Sequence, residues 1–231
     1  MASDRDKETA DTGAGCTNDQ PPEAASRVYF DPLSPVGRLK GNLPHWRQDG
    51  ATYFVTFRLA DSIPQAKLRQ WITERKQWLE LHPAPHDTDL QREFNQLFTQ
   101  RFLKWLDAGY GECILAGPDV RGLVADALRH FDGQRYRLAD WVIMPNHVHM
   151  LVSPIGDRKL SSVLQSLKSF TAHGINRLLG RRGTIWQKES FDHIVRSVES
   201  FLWIARYIQD NPRSLGSATY TLNAESTFEL S

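Results

Sequence analysis

Apolar side chains alternate with polar ones in parts of this chain and recur every third or fourth residue in others. Residues 51–59, Ala-Thr-Tyr-Phe-Val-Thr-Phe-Arg-Leu, are the first strong strand. Tyr53, Val55, Phe57 and Leu59 lie on one side of it; Thr52, Phe54, Thr56 and Arg58 lie on the other. Phe54 and Thr56 on the second side mean that both faces are at least partly covered. Pro64 suits a first helical position, and Leu68, Trp71, Ile72, Arg75 and Leu79 follow helical spacing to a stop near His82-Pro83. Leu90, Phe94, Leu97, Phe98, Phe102, Trp105 and Leu106 form a second stripe that ends at Gly109. Residues 64–109 therefore predict an aromatic-rich helical hairpin, with His82 and His86 as loop residues. A third helix starts at Gly117-Pro118-Asp119 with Asp119 as its N-cap. It buries Val120, Leu123, Val124, Ala127, Leu128 and Phe131 and closes at Asp132-Gly133.

Residues 141–152, Trp-Val-Ile-Met-Pro-Asn-His-Val-His-Met-Leu-Val, read as strand, tight turn, strand. Because strand side chains alternate, His147, His149 and Leu151 share one face, and Val148, Met150 and Val152 share the other. A fourth helix follows over residues 161–179, with Leu160, Val163, Leu164, Leu167, Phe170 and Ile175 apolar. Residues 184–197 are extended. The last helix, residues 198–210, buries Phe201, Leu202, Ile204, Ala205 and Ile208, and Asn211-Pro212 ends it.

With the hairpin set aside, the order is strand, helix, strand, strand, helix, strand, then a final helix. This is the split βαβ, ferredoxin-like order, an α+β fold with an antiparallel sheet and an inserted helical hairpin. The two crossover helices cover one sheet face, and the final helix covers the face that carries the two His. Residues 1–26 lack large apolar side chains apart from the initiator Met and are expected to be disordered. Residues 27–215 form the folded domain, with the insertion at about 64–109. That insertion is expected mainly to enlarge the core. Residues 216–231 are expected to be a loose tail.

Composition narrows the class without deciding it. Hydrophobic residues make up 40% of the 231 and charged residues 24%, as in soluble globular proteins. A net charge of +1 leaves room for a local basic face. Lys168, Arg177, Arg181, Arg182 and Arg196 are candidates for phosphate contacts, with a solvated helix end the competing reading for the first four. Cys16 and Cys113 give neither a disulfide framework nor a CxxC knuckle. No apolar leader and no run of about 18 apolar residues is present, so a cytoplasmic protein with no membrane span is expected.

The chemistry concentrates on the His face. Tyr207 and Asn211 are four residues apart on the final helix, hence on one side of it. Two imidazole nitrogens and an amide oxygen can hold a divalent cation, which polarises a phosphate oxygen. A nearby tyrosine can then attack phosphorus and store the bond as a phosphotyrosine ester. Two imidazoles alone favour zinc or another later transition metal. A metallohydrolase acting on small phosphoesters through water, or a DNA-binding regulator without chemistry, would carry some of the same residues. Trp186 is a core residue or a base-stacking one, and the core is the stronger reading.

His147-Val-His149 behind Met-Pro-Asn, then Trp186-Gln187, Phe191-Asp-His-Ile-Val-Arg196 and Tyr207-Ile-Gln-Asp-Asn211-Pro212, resembles the single-tyrosine HUH transposases of the IS200-like superfamily. The similarity is strongest to the REP-associated tyrosine transposases and runs from about residue 44 to 212, interrupted by the insertion. The resemblance implies a transposase-like catalytic domain that nicks and rejoins single-stranded DNA beside a hairpin. It implies His147 and His149 as metal ligands, Asn211 as the third, and Tyr207 as nucleophile. It further implies Mg²⁺ or Mn²⁺ as the metal, single-stranded or hairpin DNA as partner, a monomer or a homodimer, and a nucleoid-associated location. His193 and Arg196 belong to the matching stretch, where they either act on DNA or brace the strand.

Overall fold

The computed structural model describes residues 29–30, 37–39, 45–83 and 87–226. The expectation for residues 1–26 falls outside them. A short ribbon pairs β1 (Gly37–Leu39) with β2 (His45–Arg47). The main sheet holds β3 (Tyr53–Arg58), β4 (Tyr136–Ile143), β5 (His147–Pro154), β6 (Phe191–Ile194) and β7 (Thr221–Asn223). Their order across the sheet is β6-β3-β5-β4-β7, and every neighbouring pair is antiparallel. The fold is α+β, as the residue pattern predicts.

The alternation of side chains builds two cores. Tyr53, Val55 and Phe57 of β3 and Val148, Met150 and Val152 of β5 face α4 (Pro118–His130) and α5 (Leu160–Leu178). Phe54, Val142 and Leu151 face the opposite way, against Phe201, Ile204, Ala205 and Ile208 of α6 (Val198–Asp210). Each buried face removes apolar area at roughly 25 cal/mol per Å², which is what holds a helix of moderate propensity to the sheet.

The insertion contains α1 (Gln65–Leu81), α2 (Thr88–Phe94), a π-helical segment (Asn95–Gln100) and α3 (Arg101–Asp107). It does more than thicken the main core. It forms its own cluster from Leu68, Trp71, Trp78, Phe98, Phe102 and Leu106, with Trp71 Nε1 donating to the Phe98 carbonyl at 3.1 Å. The π segment adds a residue to the turn and re-aims the apolar stripe toward Trp71 and Trp78. α3 then ends beside the His face.

Three local expectations change. Helix α4 begins at Pro118 with Gly117 as N-cap, not Asp119. The proline ring fixes φ near the helical value and its missing N–H would be unpaired there anyway. At the end of α6, Asn211-Pro212 opens a 3₁₀ turn (Asn211–Ser214) rather than leaving helical geometry. The segment after Gly216, expected to be loose, adds β7 to the sheet edge, with Thr221, Leu222 and Asn223 opposite Ile143, Val142 and Trp141. Side-chain ties reinforce that short strand. Arg121 donates to Thr221 Oγ1 at 3.0 Å and to the Ala218 carbonyl at 2.9 Å. Buried Asp140 accepts from Ser226 N and Oγ.

Candidate functional site

The Met144-Pro145-Asn146 turn delivers His147 to the start of β5 with Met144 N donating to the His147 carbonyl at 2.8 Å. Both rings are fully buried. Burial pushes His147 down to about 3 and His149 well below the usual imidazole range, the second helped by the first ring's charge. Both are therefore neutral near pH 7 and able to donate lone pairs.

Hydrogen bonds fix where those lone pairs point. Asn146 Nδ2 donates to the Leu106 and Tyr110 carbonyls at 3.2 and 3.1 Å, so its Oδ1 faces His147 Nδ1 at 2.7 Å and accepts from it. The proton sits on Nδ1 and leaves the His147 Nε2 lone pair free. His149 Nδ1 lies 2.7 Å from Thr56 Oγ1. The two Nε2 atoms then meet at 3.0 Å. Such a pair is satisfied by one shared proton or by a cation held between both nitrogens.

Two oxygens complete the arrangement. Asp107, the last residue of α3, has Oδ1 4.0 Å from His147 Nε2, and ligand atoms of Asp107, His147 and His149 all lie within 4.8 Å of one another. This cluster can hold a divalent metal ion. Burial pushes the Asp107 carboxyl upward, and the Asn211 amide opposes that. Asn211 Nδ2 donates to Asp107 Oδ1 at 3.3 Å, while Asn211 Oδ1 is buried and has no partner among the described residues. An orphaned buried carbonyl oxygen beside two converging imidazoles and a carboxylate is what a resident cation would satisfy. The mixed nitrogen and oxygen set is also harder than two imidazoles alone, which moves its preference toward magnesium and manganese.

Tyr207 completes the site from α6, within the same chain. Its hydroxyl is 3.4 Å from His149 Nε2, and its ring stands edge-on to His149 and Phe54. Burial and the Asp107 charge push the phenol well above its ordinary range; the Asn211 side chain offsets part of this. Gln209 Nε2 donates to Asp140 Oδ1 at 2.7 Å, pinning the end of α6 that carries Tyr207 to β4. Trp203, one turn earlier, is 67% exposed and stacks on the Tyr207 ring at 6.1 Å.

His147, His149, Tyr207 and Asn211 thus converge. The basic candidates do not form one face. Lys168 donates to the Lys188 carbonyl at 2.8 Å and to Ser190 Oγ, and its pKa falls to about 8 through burial and then Arg58. Arg177 and Arg182 are exposed near the end of α5, roughly 14 Å or more along the helix from Lys168 at 1.5 Å per residue. Arg181 pairs with Glu112. Arg196 Nη1 donates to Gln91 Oε1 at 3.0 Å, tying the segment after β6 to the insertion. Trp186 is core, with Nε1 donating to Thr171 Oγ1 at 2.9 Å. His82 stacks on Trp78; His86 lies outside the described residues. His193 is exposed, against Phe54 and Phe191.

Asp107, Asn146 and Thr56 escape the sequence reading. One signal exists for Asp107: a carboxylate in the last turn of a helix opposes the helix dipole. Such local conflict marks function more often than packing.

Residues 121–211 match the family model of the IS200-like transposases, "Transposase IS200 like". That segment carries the likeness to the family. It contains both His, Tyr207 and Asn211, whereas Asp107, Thr56 and the whole insertion precede it. An uncharacterized protein of Haemophilus influenzae is 28% identical over 97 residues, 33% of this chain and 54% of its own length. The chain thus spans about half the length of that curated relative. A solved REP-associated tyrosine transposase bound to a REP hairpin is similar over 74% of this chain and 71% of its own, at 18% identity and a TM-score of 0.41. Among the described residues, no helix is long and apolar enough to cross a membrane.

Proposed function

We propose that this IS200-like protein is a metal-dependent single-stranded DNA endonuclease and strand transferase that cuts beside DNA hairpins. The observation that carries the proposal is the Tyr207 hydroxyl 3.4 Å from His149 Nε2, where two neutral, buried imidazoles, a carboxylate and an unpartnered amide oxygen converge.

His147, His149, Asp107 and Asn211 are the residues that would hold Mg²⁺ or Mn²⁺. When bound, the cation would draw electron density from a phosphate oxygen and lower the barrier to attack at phosphorus. The chain's own residues do the rest. Asn146 and Thr56 hold the two rings in one orientation. Gln209 and Phe54 hold the Tyr207 ring over them. The Tyr207 oxygen loses its proton and bonds to phosphorus as the bond to the 3′ oxygen breaks. The 3′ oxygen leaves with the electron pair and takes up a proton. A second DNA 3′ hydroxyl reverses the step and frees the phenol. Phenolate is the better leaving group, so no external energy source is needed for rejoining.

Hairpin DNA is the partner that the motif resemblance implies, and a nucleoid-associated cytoplasmic location follows from it. One chain holds a complete constellation, which suits a monomer or a homodimer with two independent sites.

The test is a denaturing gel of protein incubated with labelled hairpin-bearing oligonucleotides and Mg²⁺ or Mn²⁺. A covalent adduct is expected, lost in Tyr207→Phe and in His147→Ala. Phosphoester turnover that survives in Tyr207→Phe but not in His147→Ala would replace this reading with a water-using metallohydrolase.

A further inference from the structure

A cavity of about 170 Å³ opens between β3, the insertion and residues 187–191, sharing a wall with the metal cluster. Thr56, which holds His149, lines it. So does Arg58, opposite His147 in the β3–β5 register. Trp71 and Phe102 of the insertion and Phe191 of β6 supply aromatic walls, and Glu189 supplies a carboxylate.

Arg58 is the unusual member. It is 5% exposed, yet among the described residues no carboxylate pairs with it. Among the described residues only Nη1 donates, to Ser62 Oγ at 3.0 Å and the Leu59 carbonyl at 3.4 Å, and the guanidinium lies 5.6 Å from the Phe102 ring centroid. Nε and Nη2 make no hydrogen bond among the described residues, and Arg58 lines the cavity. Burial lowers its pKa to about 10, which leaves it charged near neutral pH. A buried guanidinium without a counter-ion is costly, and a ligand that uses its open edge explains its retention.

We propose that this cavity takes one unstacked nucleobase of the DNA strand held at the metal cluster, read by Arg58, with guanine preferred. This rests on the DNA-cutting function proposed above. The cavity is small beside the roughly 300–1,000 Å³ of drug-sized sites, so its occupant is a fragment of the strand. Aromatic walls suit a flat ring, which stacks without regard to sequence. The open edge of a guanidinium is the fork that takes guanine O6 and N7. A carboxylate at the rim accepts from a base amino group and repels a phosphate. Lys168 fixes residues 188 and 190, and with them the position of Glu189. The insertion thereby gains a role in substrate choice.

The test is fluorescence anisotropy without divalent metal, using hairpin-bearing oligonucleotides in which a single abasic site steps along the single-stranded flank. One position should weaken binding by roughly 5- to 150-fold, the worth of one good bidentate base contact at 1.4 kcal/mol per decade. Guanine should be preferred there over the other three bases. That preference should vanish in Arg58→Met and shrink in Glu189→Gln, which removes the charge at nearly constant shape. A scan flat to within about twofold, on the same scale, would overturn the proposal. So would a preference that persists in both variants. Loss on neutralising one phosphate as methylphosphonate, without loss at any abasic position, would make this a phosphate site and overturn it equally. Because binding is read without metal, failure of the cutting chemistry leaves this test intact. Adduct formation with a flat scan sinks the pocket alone.

Discussion

Replacing Asp107 by Asn removes one negative charge and keeps the side chain's shape. Asp107 Oδ1 lies 4.0 Å from His147 Nε2, and the side chain is 42% exposed. At about 4 Å and an effective dielectric near 20, a carboxylate attracts a dication by roughly 8 kcal/mol; in bulk water the same pair is worth about 2. Partial exposure places Asp107 toward the lower end, so about 2–4 kcal/mol of metal affinity should disappear, or roughly 30- to 700-fold in Kd. The assay is titration with Mn²⁺, following free ion by electron paramagnetic resonance, on wild type, Asp107→Asn and Asn211→Ala. The metal-free variant provides the control. Burial raises the pKa of this carboxyl, so the native state disfavours its charge, and Asp107→Asn should melt no lower than wild type without metal. Mn²⁺ affinity within about threefold of wild type would show that α3 supplies no ligand and that the insertion's approach to the His pair is only packing.

Other perturbations probe different links. Asn146→Ala removes the acceptor of His147 Nδ1 and the ties to Leu106 and Tyr110. It should cost about 1–3 kcal/mol in urea unfolding and 10- to 100-fold in metal affinity. Metal-free protein should lose stability as pH falls. His147 titrates near 3 and His149 well below 6.5 when folded, whereas the unfolded rings take up protons near 6.5. The unfolded state thus binds more protons between those values, and stability declines from pH 6.5 toward 3 by up to about 1.4 kcal/mol per unit for each ring. Urea midpoints measured across that range should show a shallower decline in His149→Gln, and an unchanged slope would contradict the assignment. Leu106→Ala, at a residue 1% exposed in the insertion core, should cost about 2–5 kcal/mol and shift Asp107 with it, lowering metal affinity as well.

The parts of this fold that the sequence makes legible are those set by long periodic runs. Period-two alternation in residues 51–59 and 147–152 assigns Phe54, His149 and Leu151 to one face and Val55, Met150 and Val152 to the other, and the packing agrees. Helical spacing in the final helix places Tyr207 and Asn211 on the His face. Short elements escape because three residues carry no period: β7 is held by Arg121, 100 residues away in sequence, and by backbone pairing to the distant β4. Asp107 is hidden for another reason, its acidic place in the last turn of a helix being the single local cue. Nothing in the chain near Leu106-Asp107 announces that α3 will end against His147, since that meeting is made by the packing of Trp71, Phe98 and Phe102. Asn146 reads locally as turn chemistry, and only its two carbonyl partners on the insertion show that it also orients a ring.

The most direct measurement is to trap the protein on a hairpin-bearing oligonucleotide with Mn²⁺, digest it, and locate the nucleotide adduct by mass spectrometry. A 5′-phosphoryl nucleotide is expected on the peptide containing Tyr207, carried on its phenolic oxygen. An adduct on any other residue, or cleaved DNA with no adduct on the protein, would contradict that expectation.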